Sequence, residues 1–147
     1  MFNPCAKKGG SVRKTVAATL VAGIWIGFSE FLRNEILFKG LWLDKYADLG
    51  LRFPSQTINN ALWGVWSFLL AGIIVYLIRK LGFAGVFLVT WMLAFVMMWV
   101  VIWNLNVLPN GLLPIAIPWS LAETALAILI ARKLLGPAPS RTSLPVE

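Results

Sequence analysis

The sequence predicts an all-α membrane protein, a four-helix transmembrane bundle with a short interfacial helix between spans one and two. Three observations lead to this fold class. Charged residues make up 13% of the 147 residues, about half their share in a typical soluble domain. The mean hydropathy is +0.80, and four apolar segments each approach the roughly 20 residues that cross a hydrocarbon core. The basic residues lie near the ends of these segments and are divided unequally between two sides.

The four apolar segments set the domain organisation. The predicted spans cover residues 15–28, continuing as helix toward Phe38, and residues 58–78, 83–103 and 112–131. Basic residues precede the first segment as in a signal peptide, but no small-x-small cleavage pattern follows it, so we expect it to remain as a span. The chain then divides into a cytoplasmic basic tail (1–14), a four-span domain (15–135) and a disordered cytoplasmic tail (136–147).

The connection between the first two spans carries a prediction of its own. Residues 39–57 mix apolar and charged side chains, which suits a short helix lying in the outer membrane interface. Trp42 and Tyr46 would then lie at the level of the lipid headgroups. Gly50 and Pro54 are expected to end this helix before the second span begins.

Lysine and arginine residues predict the orientation in the membrane. Nine of the 13 precede the first span, connect spans two and three, or follow the fourth; the other four lie at the opposite side. Because basic residues are enriched in cytoplasmic loops, we expect a multi-pass protein of the inner (plasma) membrane with both termini cytoplasmic. The net charge of +7 then reflects topology and contact with anionic lipid, and nucleic acid is not an expected partner.

The residue inventory excludes several kinds of chemistry. The chain has no histidine and one cysteine, Cys5, which excludes imidazole metal sites, histidine acid–base chemistry and an internal disulfide. It has no P-loop, no dinucleotide-binding motif and no carboxylate-rich metal motif. We therefore expect no cofactor and no metal. Whether the protein is an enzyme stays open, and the inventory leans towards no.

Small and polar residues recur at helical spacing in each span. Positions three, four and seven apart share one face of a helix, and a face of small residues lets another helix approach closely, as the GxxxG pattern of Gly23 and Gly27 does. The four stripes are Gly23, Gly27, Glu30 and Asn34; Asn60, Gly64, Ser67 and Ala71; Thr90, Ala94, Met97, Val101 and Asn104; and Ser120, Glu123, Thr124 and Ala127. We expect these faces to meet inside the bundle and to make its outer half polar.

Glu123 is the most informative single residue. At 1.5 Å per residue it lies roughly 12 Å from the cytoplasmic end of its span, near the midplane, where an ionisable group is costly unless it is protonated, paired or hydrated. Two interpretations stay open: a proton-titrating or cation-binding site, or a structural carboxyl held by Ser120, Thr124 or a neighbouring helix. Glu30 can pair with Arg33, three residues further along its own helix.

Most of the tryptophans belong to the outer half of the predicted bundle. Six of the eight are placed there, where they suit either an interfacial belt or the wall of a pocket that opens outward. The pocket would have Glu123 as its floor and asparagine side chains at its rim, among them Asn106. The candidate ligand-binding residues are Glu30, Arg33, Asn34, Asn60, Trp63, Trp99, Asn104, Ser120 and Glu123.

The region after the first span carries a family resemblance. It contains Phe28-Ser29-Glu30, Leu37-Phe38, Trp42, Tyr46 and Leu49-Gly50-Leu51, followed by three further spans. In these residues and in layout the chain resembles a family of small four-span bacterial integral membrane proteins of unknown function. The resemblance implies the four-span topology, and it implies no catalytic or ligand-binding residues.

These patterns favour two classes of function over a membrane enzyme. The first is a small polytopic membrane protein that binds or transports a small amphipathic or cationic ligand in an outward-facing pocket. The second is a structural or accessory membrane subunit that has no ligand of its own and packs against a partner through GxxxG. The expected partners are the lipid bilayer, a small-molecule ligand, and a second copy or another membrane protein.

Overall fold

Every regular element in the described part of the chain is a helix. The structure is a computed structural model, which describes the backbone of residues 4–136 and the side chains from residue 11 onward. The elements are α1 (Pro4–Phe31) with a first π-helical turn (Leu32–Leu37), α2 (Lys39–Asp48), α3 (Thr57–Ile78), α4 (Phe83–Trp91) with a second π-helical turn (Met92–Val96) and α5 (Met97–Asn104), and α6 (Leu113–Leu135).

Four helical stretches are long and apolar enough to cross a membrane. They cover Ser11–Leu37, Thr57–Ile78, Phe83–Asn104 and Leu113–Leu135. The all-helical fold class and the four helices of spanning length are therefore confirmed. Two ends differ from the prediction, because α1 begins at Pro4, inside the predicted basic tail, and α6 continues past Ala131 to Leu135. Residues 137–147, nearly all of the predicted disordered tail, lie outside the described residues.

The long helices form an antiparallel bundle. Helix α1 packs against α3 and α6, and α4 packs against α6 and α3. One end, called the termini end here, carries the start of α1, the α3–α4 turn and the end of α6. At this end Arg79 donates a hydrogen bond to Thr15 Oγ1, and Arg132 Cζ lies 5.9 Å from the centroid of the Phe83 ring. The opposite end, called the α2 end, carries α2 and the connection between α5 and α6.

The bundle exposes large apolar side chains and buries several polar and charged residues within a largely apolar core. Ile24, Leu69 and Leu88 are 63%, 63% and 58% exposed. The buried polar and charged residues are Ser29, Glu30, Arg33, Ser67, Thr90, Ser120, Glu123 and Thr124. Such an arrangement is typical of a helix bundle in lipid, where polar side chains turn towards one another and away from hydrocarbon.

The two GxxxG glycines bring α1 close to α3. A β-carbon at position 23 would lie 2.3 Å from Phe68 Cδ1, and one at position 27 would lie 3.5 Å from Ser67 Oγ. Small residues at these positions therefore permit the close approach that the pattern predicts. Because α3 occupies this face of α1, a separate partner helix would have to use another face.

We expect Gly23→Leu to lower the free energy of unfolding by about 1–3 kcal/mol, because the added side chain overlaps Phe68 and forces α1 and α3 apart. Gly72→Leu is the matched control, since a β-carbon at Gly72, also inside a helix, meets no neighbouring atom within 4 Å. Thermal unfolding in detergent, followed by circular dichroism, measures both variants. Equal melting temperatures would contradict the close approach of α1 to α3.

The second π-helical turn changes which face of the third span is buried. Thr90 and Ala94 are buried as predicted. The π-helical turn holds one residue more than an α-helical turn, so the buried face continues through Phe95 and Trp99. The predicted inward positions beyond the turn are exposed instead, and the prediction is wrong for Met97, Val101 and Asn104.

A helix forms between the first two spans, as the sequence predicts. No residue of α2 is buried, and its contacts with the bundle run mainly through the first π-helical turn. Gly50 ends the helix with a left-handed φ of 69°, a conformation that glycine adopts without a steric penalty. The N–H of Leu51 closes the end by donating to the Tyr46 carbonyl over 2.9 Å.

Candidate functional site

A cavity of about 830 Å³ lies at the α2 end of the bundle, bordered by α1, the first π-helical turn, α2, α3, α5 and the start of α6. Pockets that bury small ligands usually have about 300–1,000 Å³. Gly27 and Gly64 line this cavity, and a β-carbon at Gly64 would meet no atom within 4 Å, so small residues help to leave the space open. The aromatic lining includes Phe31, Phe38, Trp42, Trp63, Trp66 and Trp99.

The structure brings six of the nine candidate residues to this cavity. They are Glu30, Arg33, Asn34, Asn60, Trp63 and Trp99. The other three do not line it: Asn104 is exposed, and Ser120 and Glu123 are buried. Glu123 therefore does not form the expected floor of this cavity, whose wall carries the charged pair of Glu30 and Arg33.

Some of the tryptophans line the cavity and others lie on the outside of the bundle. Trp63 contacts Trp66 edge to face at 5.9 Å between ring centroids, and Trp66 contacts Phe95 in the same way at 6.0 Å. Phe95 in turn lies 5.9 Å from Trp99, so aromatic contacts connect α3 to α5 around the cavity. Trp103, by contrast, is 73% exposed, as a residue of an interfacial belt would be.

Glu30 and Arg33 form a buried ion pair in the cavity wall. Their side chains are only 3% and 4% exposed, and Arg33 Nη2 donates to Glu30 Oε1. Arg33 lies in the first π-helical turn, and the N–H of Phe38 donates to the Arg33 carbonyl, five residues back, over 2.9 Å. The spacing of three residues between the charges allows the pair, and burial makes it sensitive to the loss of either partner.

Arg33 has more donor groups than the ion pair uses. Its second terminal nitrogen, Nη1, is buried and has no hydrogen-bond partner among the described residues. Its Cζ lies 5.2 Å from the centroid of the Phe95 ring, so an aromatic ring covers one face of the guanidinium. An unpartnered buried donor costs roughly 1–3 kcal/mol, and more when it is charged.

Asn34 links the ion pair to α2. Its Nδ2 donates to Glu30 Oε2 over 2.8 Å and to the Glu30 carbonyl over 3.1 Å. Its Oδ1 accepts a hydrogen bond from Trp42 Nε1 over 3.2 Å. Both oxygens of the Glu30 carboxylate therefore accept a hydrogen bond, and α2 is attached to the bundle beside the cavity.

Glu123 joins α6 to α1. Its Oε2 accepts a hydrogen bond from Ser29 Oγ over 2.6 Å, and its backbone carbonyl accepts one from Trp25 Nε1 over 3.1 Å. Ser29 Oγ also accepts from Trp119 Nε1 over 2.9 Å. Glu123 Oε1 has no partner among the side chains described, and the carboxyl is an electrostatic neighbour of Glu30 and Arg33. The geometry favours a structural carboxyl held by a neighbouring helix.

Sequence reasoning missed Ser29, the partner of Glu123. Ser29 lies beside the predicted stripe of span one, and a stripe moved by one position, through Ala22, Ile26, Ser29 and Arg33, would have included it. Ser120 binds elsewhere: its hydroxyl accepts from Trp91 Nε1 over 3.0 Å and donates to the Ile117 carbonyl.

Comparison with known proteins gives no match from which a function could be inferred, so the function has to be argued from the site. No protein-family model, no curated protein and no solved structure matches the chain. Within the described part of the chain, no three His, Cys, Asp or Glu side chains come together in a group that could hold a metal ion. What the site offers is an aromatic wall and a buried, hydrogen-bonded ion pair.

Proposed function

We propose that this chain is a multi-pass protein of the inner (plasma) membrane that binds a small amphipathic ligand in an outward-facing cavity. The observation that carries the proposal is the cavity at the α2 end, where aromatic rings and a buried ion pair border one space. Mostly apolar pockets with a few fixed polar groups are the usual sites for small ligands. The apolar rings would hold the body of the ligand and the polar groups its head.

The orientation is supported by the distribution of basic residues. Lys14, Arg79 and Arg132 all belong to the termini end. Cytoplasmic ends of membrane helices are enriched in lysine and arginine, so we assign the termini end to the cytoplasm. The α2 end and the cavity then face outward.

The interfacial position of α2 belongs to the same proposal. None of its residues is buried, while Trp42 and Tyr46 line the cavity. Tryptophan and tyrosine are the side chains that favour the headgroup level of a bilayer. With α2 in the outer interface, these two rings would stand at the entrance through which a lipid-soluble ligand arrives.

The alternative, a structural or accessory subunit without its own ligand, has less support. It relied on the GxxxG face of α1, which α3 covers through Phe68 and Ser67. A partner helix would instead have to bind the apolar exterior of the bundle. We therefore keep ligand binding as the conclusion.

The proposal is tested by placing a large side chain in the cavity at a glycine that has open space beside it. Gly64→Phe places a ring in the cavity, and Gly72→Phe, in the same helix, is the matched control because Gly72 has equal space and does not line the cavity. In phosphatidylcholine nanodiscs, bromoundecanoate and bromoundecyl trimethylammonium serve as probes, since their bromine quenches tryptophan fluorescence on contact.

We expect at least one probe to quench the wild-type protein and Gly72→Phe saturably, with about tenfold weaker binding to Gly64→Phe. Trp63, Trp66 and Trp99 line the cavity and would report the contact. Identical quenching curves for the two phenylalanine variants, or no saturable quenching by either probe, would sink the proposed function.

A further inference from the structure

We propose that the head group of the ligand is a hydrogen-bond acceptor, namely a carboxylate, a phosphate or a carbonyl, and that the Arg33 guanidinium binds it. The inference rests on the proposed function, because it names the ligand chemistry of the same cavity. It concerns a single-chain amphiphile whose apolar body lies against the aromatic wall.

The first observation is the donor capacity of Arg33. The residue lines the cavity, its side chain is 4% exposed, and Nη1 has no hydrogen-bond partner within residues 11–136. A guanidinium carries five N–H donors in a planar fork that matches the two oxygens of a carboxylate or phosphate. The ion pair with Glu30 uses only one of the two terminal nitrogens, so the fork has donors left for a ligand.

The second observation is that each neighbouring acceptor of the pair already accepts a hydrogen bond. Glu30 Oε1 accepts from Arg33 and Glu30 Oε2 accepts from Asn34. Asn34 Oδ1 accepts from Trp42. A cationic head group would meet oxygens that each already accept one bond and would lie beside the positive charge of Arg33. A hydrogen-bond acceptor would instead meet an unpaired donor at Arg33 Nη1.

The ligand must compete with nearby carboxylates for the Arg33 guanidinium. Glu30 neutralises the guanidinium, and Glu123 is a second carboxyl within electrostatic range of it. Glu123 Oε2 accepts from Ser29 over 2.6 Å, which fixes one side of that carboxyl to α1. The ligand acceptor would thus share Arg33 with Glu30.

The competing chemistry is a quaternary ammonium head group held by aromatic faces. Trp63, Trp66 and Trp99 line the cavity, and aromatic rings bind such cations without hydrogen bonds. Two probes of equal chain length separate the possibilities, because bromoundecanoate offers an acceptor and bromoundecyl trimethylammonium offers none.

The first experiment compares these probes on the wild-type protein in phosphatidylcholine nanodiscs. We expect bromoundecanoate and bromoundecyl phosphate to bind about tenfold or more tightly than the trimethylammonium probe. Inorganic phosphate, which lacks an apolar body, is expected not to displace them. A preference for the trimethylammonium probe, or displacement by inorganic phosphate at matched concentration, would overturn the inference.

The second experiment uses one variant expected to weaken head-group binding and one expected to strengthen it. Arg33→Lys keeps a positive charge beside Glu30 but removes the planar fork, and we expect about tenfold weaker binding of the carboxylate probe with unchanged binding of the trimethylammonium probe. Glu30→Gln keeps the fork and removes its charged competitor, so we expect tighter carboxylate binding. Loss of folding would not produce opposite changes in two variants.

The two proposals fail separately. If Gly64→Phe blocks both probes while Arg33→Lys leaves their affinity ratio unchanged, the cavity binds amphiphiles and the assignment of the head group to Arg33 is wrong. If Gly64→Phe and Gly72→Phe bind alike, the cavity is not the site and the proposed function itself is wrong.

Discussion

Replacing Arg33 with methionine is expected to lower the free energy of unfolding by about 3–5 kcal/mol, because Glu30 would remain buried without its charged partner. The two side chains are 4% and 3% exposed, so the pair is screened much less than a surface pair. Unfolding by dodecyl sulfate in mixed micelles, followed by tryptophan fluorescence, measures the change.

A matched ion pair on the surface provides the control. Lys39 Nζ lies 2.7 Å from Glu35 Oε2, with side chains 46% and 28% exposed, and we expect Lys39→Met to cost no more than about 1 kcal/mol. Adding Glu30→Gln to Arg33→Met should restore part of the lost stability, since the double variant no longer buries an unpaired charge. Equal losses for Arg33→Met and Lys39→Met would contradict the buried pair.

Deleting Leu93 is expected to leave the bundle folded. Deleting Leu69 is expected to lower the free energy of unfolding by about 4 kcal/mol or more. Leu93 lies in the second π-helical turn, and its removal lets the turn become α-helical. Thr90, Phe95 and Trp99 would then be spaced by four residues each and would still share one face. Helix α3 contains no π-helical turn that could absorb a deletion. Removing Leu69 therefore rotates the rest of α3 by about 100° relative to the other helices.

The two deletions are well matched in other respects. Both leucines are exposed, at 56% and 63%, and both lie in the middle of a span of 22 residues. The fraction of monodisperse protein in size-exclusion chromatography and the melting temperature report the outcome. If the Leu93 deletion aggregates as readily as the Leu69 deletion, the second π-helical turn is not what sets the register of the third span.

The sequence was sufficient for the spans and for most of their buried faces, because apolar length and helical spacing are local properties. In α6, Ser120, Glu123, Thr124 and Ala127 are all buried as predicted. The third span departs from its predicted face after Ala94. A π-helical turn adds one residue without changing composition, so no periodicity computed along the sequence anticipates it.

The candidate site was predictable where its contacts are short in sequence. The pairing of Glu30 with Arg33 follows from a spacing of three residues. The bond from Ser29 to Glu123 spans 94 residues, and it depends on how far α6 is rotated against α1. A stripe of small residues does not determine that rotation to better than one residue position. A difference of one position is enough to move Glu123 from the expected pocket to the α1–α6 contact.

Sequence separation also determines the order in which the buried hydrogen bonds can form during synthesis. The bonds of Glu30 to Arg33 and Asn34 span three and four residues, so they can form as soon as the first helix has left the ribosome. The bonds of Glu123 to Ser29 and of its carbonyl to Trp25 span 94 and 98 residues, and α6 is synthesised well after α1. The nascent chain therefore holds Ser29 and Trp25 without these partners until α6 docks.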